Sequence, residues 1–153
     1  HPNDRQRIVR AMEVWDLTGT PLSTWQEGDE IPAAFTPVMI GCYRERRHLV
    51  QRIEQRVDAM IDAGLVDEVR SLQQRGYSPD LNALRTVGYQ EVFAYLQGEM
   101  SREEMIEAIR INTRQYAKRQ MTWFRRDRRI HWIDLDAGEG VDEVLEIWRR
   151  FRV

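Results

Sequence analysis

Lysine is almost missing from this sequence: Lys118 stands against twenty-two arginines. With that bias a single arginine carries little functional weight, whereas the retained lysine stands out because the two cations differ in geometry and hydration. Cysteine occurs once, as Cys42, which excludes an internal disulfide. Three scattered histidines, His1, His48 and His131, offer no metal-ligand spacing with it. No apolar run approaches the roughly 20 residues that cross a bilayer, and the first residues lack the apolar core of a signal peptide, so a cytoplasmic protein with no membrane partner is expected. Neither a G-x-x-x-x-G-K-[ST] phosphate loop nor a G-x-S-x-G elbow is present. Asp134 and Asp136 follow an apolar run where general bases can sit, but turn formation is the simpler role for both.

What is present is one long basic stretch. Residues 101–127 read SREEMIEAIRINTRQYAKRQMTWFRRD, and at about 100° per residue they place Met105, Ile106, Ile109, Thr113, Tyr116, Ala117, Gln120, Trp123 and Phe124 on one side. That side is expected to be buried. Arg110, Arg114, Lys118 and Arg125 form a stripe opposite, flanked by Arg119 and Arg126. Ser101 and Glu104 make an S-x-x-E capping box, and Glu103, Glu104 and Glu107 suit the positive end of the helix dipole. Residues 110–130 hold eight cations and one acid, Asp127, in a chain of net charge −2. A solvated face explains such a stripe; an anionic partner is the sharper reading, favoured by aromatic residues set among the cations as phosphate contacts adjoin stacking surfaces.

The 153 residues suffice for one core, or one core and part of another. The chain opens HPNDRQ without an initiator methionine, which reads as a piece of a longer protein. Ile8, Ala11, Met12 and Trp15 recur at helical spacing over 4–17, with Asn3 or Asp4 as cap and Gly19 as stop. Residues 20–36 break every periodicity and read as a loop and internal boundary. PVMIGCY then reads as a strand buried on both faces in a parallel sheet. A helix over 46–63 follows, with Leu49, Val50, Ile53, Val57, Met60 and Ile61 inward. Arg52 and Arg56 share its margin, and a half-buried Arg56 needs an anion, either an internal carboxylate or a bound phosphate. A short helix ends at Gly76, and Arg85 precedes a Gly88–Tyr89 turn into another helix stopped by Gly98. Glycine at a helix entrance admits a phosphate to backbone N–H groups, although most such glycines only relieve strain. RIHWID reads as a strand, and the closing helix turns Val141, Val144, Leu145, Trp148 and Phe151 inward.

Strand, helices and strand imply an α/β core, and two strands alone do not make a covered sheet. No self-sufficient reaction centre emerges. The candidates are anion-binding surfaces, compatible with an RNA-binding helical module or with part of a phosphotransferase.

Four stretches, NDRQRIVRAMEVWDLTGTPLS, QRIEQRVDAMIDAGLVDEV, TVGYQEVFAYLQG and TRQYAKRQMTWFRR, together resemble the bacterial tRNA dimethylallyltransferases, also called tRNA isopentenyltransferases. The resemblance implies the mostly helical C-terminal portion of a P-loop-type α/β core over 37–153, with the end of a helical tRNA-binding insertion domain over 1–36. The activity it implies is transfer of a dimethylallyl group from dimethylallyl diphosphate to N6 of the adenine 3′ of the anticodon, with Mg2+ as cofactor. Phosphate loop, general base and metal ligands would lie outside these residues, leaving the piece inactive alone. The partners implied are the tRNA anticodon stem-loop and dimethylallyl diphosphate, the full-length enzyme being a monomer. Gln6, Arg7, Ile8, Val9 and Arg10 match tRNA-contacting segments of the family, as do Arg85, Thr86, Val87, Gly88, Tyr89 and Gln90. Arg114, Lys118, Arg119, Gln120, Met121, Thr122, Trp123, Phe124 and Arg125 complete that set. Arg56, with Arg52 beside it, matches the arginine that holds the donor's diphosphate.

Overall fold

The computed structural model describes residues 3–27, 35, 37–138 and 140–151. The chain divides into two compact units, residues 1–37 and 38–153. In the first unit, helix α1 spans Arg5–Thr18; Asp4 caps it by accepting from the Arg7 N–H, and Gly19 closes it at φ +67°. Where a loop was expected after Thr20, a second helix, α2 (Leu22–Gln26), forms behind Pro21. Five residues are too few to show a helical period. Residues 28–34 and 36 of that expected loop lie outside the described residues.

The second unit runs β1 (Met39–Tyr43), α3 (Arg46–Asp62), α4 (Leu65–Gln74), a 3-10 turn (Asn82–Leu84), α5 (Tyr89–Leu96), α6 (Arg102–Phe124), β2 (Ile130–Asp134) and α7 (Gly140–Phe151). The two strands pair in parallel, Gly41 opposite Trp132. Gly41 is required there: a Cβ would stand 2.7 Å from Ile130 Cγ2 and 2.8 Å from the Trp132 ring. β1 is half-buried rather than covered on both faces, because no further described strand joins the sheet.

The core lies among the helices. Ile53, Val57 and Ile61 of α3, Val69 of α4, Val92 and Phe93 of α5, and Met105 and Ile109 of α6 are buried together. Apolar residues three and four apart on each helix supply this face. Two expected faces extend beyond their cover. Tyr116, Gln120, Trp123 and Phe124 of α6 are exposed, since the helix continues past the core that holds Met105 and Ile109. Val141, Leu145, Trp148 and Phe151 of α7 are likewise exposed, although Phe151 meets the His131 ring edge-on at 5.4 Å.

Candidate nucleic-acid interface

Helix α6 begins as its sequence dictates. Ser101 Oγ accepts from the Glu104 N–H at 3.2 Å, and Glu104 Oε2 accepts from the Ser101 N–H at 2.7 Å. The backbone bond from Ser101 holds the Glu104 carboxyl below its usual range.

The basic stripe divides into two parts with different electrostatics. Arg110 bonds Asp58 at 2.6 Å, and Arg114 reaches Glu54 at 3.4 Å and Glu107 at 2.9 Å. Asp58 and Glu54 are one turn apart on α3, as Arg110 and Arg114 are on α6, so the pairs form a ladder between helices running in opposite directions. These two guanidiniums are committed to packing α6 on α3. Beyond Ala117 the pairing stops: Lys118, Arg119, Arg125 and Arg126 make no ion pair among the described residues. Arg129 lies outside this group, because it clasps Asp127 and its hydrogen bonds hold that carboxyl at about 2.

Aromatic surface accompanies the unpaired cations. The Arg119 guanidinium stands 5.9 Å from the centre of the Tyr116 ring, and Trp123, 68% exposed, meets Phe124 edge-on at 4.8 Å. Gln115, Lys118, Arg119, Thr122, Trp123 and Arg126 line a shallow depression of about 460 Å³. The Thr122 hydroxyl is turned inward, donating to the Lys118 carbonyl at 2.9 Å. The neighbouring side of the same helix end, with Gln120, Met121 and Phe124, faces a groove of about 550 Å³ shared with Ile130, Trp132 and Arg52. Unneutralised cations beside open ring faces are what phosphates and unstacked bases bind.

The turn over residues 85–90 presents a second surface. Arg85, Thr86, Val87 and Gln90 are exposed, Gly88 is buried and Tyr89 half-buried, its hydroxyl bonded to Glu68. That bond, then burial, raises the Tyr89 pKa. Gly88 takes φ +100°, a conformation that L side chains rarely adopt. Arg85 pairs with Asp80 at 3.2 Å in the open, a contact of small energy that competing phosphates can displace. On α3, Arg56 is exposed rather than half-buried, so no desolvation calls for an anion; it and Arg52 make no ion pair among the described residues.

In the first unit Gln6, Arg7, Ile8, Val9 and Arg10 all lie exposed on α1. Arg7 pairs locally with Asp4 and Arg10 with Glu13. No side chain of α1 or α2 is buried.

Two clusters escaped the sequence reading. Asp136 accepts from Arg44 at 2.6 Å, from the Glu45 N–H at 2.7 Å and from His48 at 3.1 Å, fastening the end of β2 to the start of α3. Partial burial opposes its ionisation, but these bonds prevail and hold it at about 2. Asp134 accepts from the Asp136 N–H, so both aspartates shape the turn. The other cluster joins Glu91 to Gly88 and Asn112. A glutamate three residues after a helix-opening glycine was its only sequence signal.

Among the described residues no group of three or more His, Cys, Asp or Glu side chains is placed to hold a metal. No described helix is long and apolar enough to cross a membrane.

Parallel strands joined through packed helices, with a basic and aromatic helix end whose cations pair with no acid among the described residues, define an α/β protein with an exposed cationic and aromatic surface. A family model described as IPP transferase matches residues 1–127, and the chain belongs to that family. It is 49% identical over 148 residues to a tRNA dimethylallyltransferase of Desulforudis audaxviator, covering 96% of this chain and 48% of the relative. The structure of a tRNA isopentenylpyrophosphate transferase from Staphylococcus epidermidis aligns at TM-score 0.72 and 31% identity over 98% of this chain and 50% of that one. A eukaryotic dimethylallyltransferase acting on tRNA aligns at TM-score 0.71 and 26% identity, covering 95% of this chain and 40% of its own. The chain thus spans about half the length of the curated relatives it matches.

Proposed function

We propose that this chain is the RNA-gripping and diphosphate-gripping part of a tRNA dimethylallyltransferase. The reaction is transfer of a dimethylallyl group from dimethylallyl diphosphate to N6 of the adenine 3′ of the anticodon. One observation carries the reading: from Arg110 to the C-terminal end of α6 and on to Arg126, Arg110 and Arg114 are spent on internal pairs, while Lys118, Arg119, Arg125 and Arg126, beside exposed aromatic rings, pair with no acid among the described residues. The names of the relatives point the same way.

The chemistry makes demands that these surfaces suit. In the transfer the allylic C–O bond breaks, diphosphate leaves with the electron pair, and N6 forms the new C–N bond and loses a proton. An adenine stacked in a loop must first be drawn out, at a cost of a few kcal/mol. Stacking on exposed rings, worth about 1–3 kcal/mol per base, together with phosphate contacts, offsets that cost. Arg56, with Arg52, receives the negative charge that grows on the leaving diphosphate. Gln6, Arg7, Ile8, Val9 and Arg10 of α1, the turn over 85–90 and the end of α6 bind the anticodon stem-loop. Mg2+ in this reading is held by residues elsewhere in a protein of the relatives' length, as are the phosphate loop and general base. The full protein works as a monomer in the cytoplasm.

The test is transfer by the full-length protein from dimethylallyl diphosphate to an anticodon stem-loop RNA, with the product nucleoside identified by mass spectrometry. Prenylated N6-adenine 3′ of the anticodon is the expected product. Tight RNA binding without any transfer leaves an RNA-binding module in its place, and transfer to a small nucleotide but not to RNA leaves another transferase.

A further inference from the structure

Glu91 lies in α5 and is only 5% exposed. Its Oε2 accepts from the Gly88 N–H at 2.7 Å, and its Oε1 accepts from Asn112 Nδ2 at 2.6 Å, twenty-one residues away on α6. No cation pairs with it among the described residues.

A buried carboxylate costs stability unless its acceptors are filled, so capping a helix is a weak reason to keep one inside. A capping box needs only an exposed glutamate, as Glu104 at the start of α6 demonstrates with a similar 2.7 Å bond at the surface. What burial adds is the second bond, to Asn112. Apolar packing of Val92 and Phe93 on Met105 and Ile109 fills space but tolerates small sliding and rotation. A directional bond from the middle of α6 to the first turn of α5 does not. Through Glu91 it ties α6 to the Gly88 N–H, beside which Thr86, Val87 and Gln90 lie exposed.

We infer that Glu91 and Asn112 are positioning residues, a brace that sets the turn over 85–90 against α6 so that both meet RNA in one geometry. The inference rests on the reading above that these two segments bind RNA. Neither residue of the brace touches the nucleic acid or the prenyl donor.

The test exchanges donor and acceptor across the pair in the full-length protein. Asn112→Asp sets two carboxylates against each other. The double variant E91Q/N112D restores the bond to position 112 with its roles reversed and keeps the other: the side-chain amide introduced at position 91 donates to the carboxylate introduced at position 112, while its carbonyl still accepts from the Gly88 N–H. Three quantities are read for each variant: affinity for anticodon stem-loop RNA, affinity for dimethylallyl diphosphate, and hydrogen exchange of the peptide over 85–92. Asn112→Asp should weaken RNA binding about tenfold and speed exchange in that peptide, leaving diphosphate affinity unchanged. The double variant should return both to within about threefold of the parent. If Asn112→Asp does not fold, Asn112→Ala, which removes the donor without adding charge, carries the same comparison. RNA affinity unchanged in the single variant, RNA and diphosphate affinity falling together, or a double variant as weak as the single one would each overturn the brace. A parent protein that does not bind the RNA at all sinks the functional reading instead, whatever the exchange pattern.

Discussion

Replacing Lys118, Arg119 and Arg125 together by alanine should change the salt dependence of RNA binding far more than it changes folding. All three are exposed and make no ion pair among the described residues, so their removal leaves no acid stranded. Each phosphate contact contributes about 0.7 to the slope of log affinity against log salt for single-stranded RNA, and about 0.9 for a duplex. Three lost contacts lower the slope by about 2–3. Raising salt from about 50 to about 200 mM is a fourfold change, so the parent's advantage over the triple variant should shrink by about 20- to 40-fold across that range. Arg114→Ala is the matched control. Its guanidinium is held by Glu54 and Glu107 at 31% exposure, and its loss should cost about 0–1 kcal/mol of stability with the salt slope unchanged. Fluorescence anisotropy with a labelled anticodon stem-loop at four salt concentrations measures both slopes. A triple variant with the parent's slope, or an Arg114→Ala slope reduced as far as the triple variant's, would refute the division of the helix into a structural half and an RNA half.

Three further outcomes are expected in the full-length protein. Arg56→Ala should raise KM for dimethylallyl diphosphate about tenfold or more, the loss expected for charge-assisted hydrogen bonds, with RNA affinity unchanged in a direct binding titration. Gly41→Ala should destabilise the protein by about 1–3 kcal/mol in a denaturant titration, because its Cβ falls within 2.8 Å of the Ile130 and Trp132 side chains, which must shift to admit it. Asp136 titrates at about 2 when folded, below the usual aspartate value of about 3.9 when unfolded. The unfolded chain therefore takes up this proton first, so the stabilisation is complete at neutral pH and is lost as pH falls from about 5 toward 2. Asp136→Asn should accordingly lower the Tm at pH 7, and the gap from the parent should close as pH approaches 2.

Helix ends were legible in the sequence because their signals are local. Asp4 and Gly19 bound α1, the Ser101 and Glu104 box opens α6, and Gly88 opens α5 at positive φ. Burial is not legible in the sequence wherever cover depends on another element. Tyr116, Trp123 and Phe124 continue the apolar arc of Met105 and Ile109, yet periodicity says which face is apolar and not how far its partner reaches. The same limit explains α7 and the half-buried β1. The candidate cations were readable as a stripe, but their sorting was not. Whether Arg110 meets Asp58 while Lys118 meets no acid among the described residues is decided by the register of α6 on α3, which no spacing within one helix contains. The Glu91 and Asn112 pair was hidden for the same reason, since its halves lie on two helices and are brought together only by packing.

The most direct measurement is ultraviolet crosslinking of an anticodon stem-loop RNA to the full-length protein, with crosslinked peptides identified by mass spectrometry. Crosslinks should concentrate in the segment containing Tyr116 and Trp123 and in the turn over 85–90, and should fade when the RNA is competed by unlabelled tRNA. Competed crosslinks that fall elsewhere in the protein, with both segments untouched, would contradict the assignment of this surface to RNA.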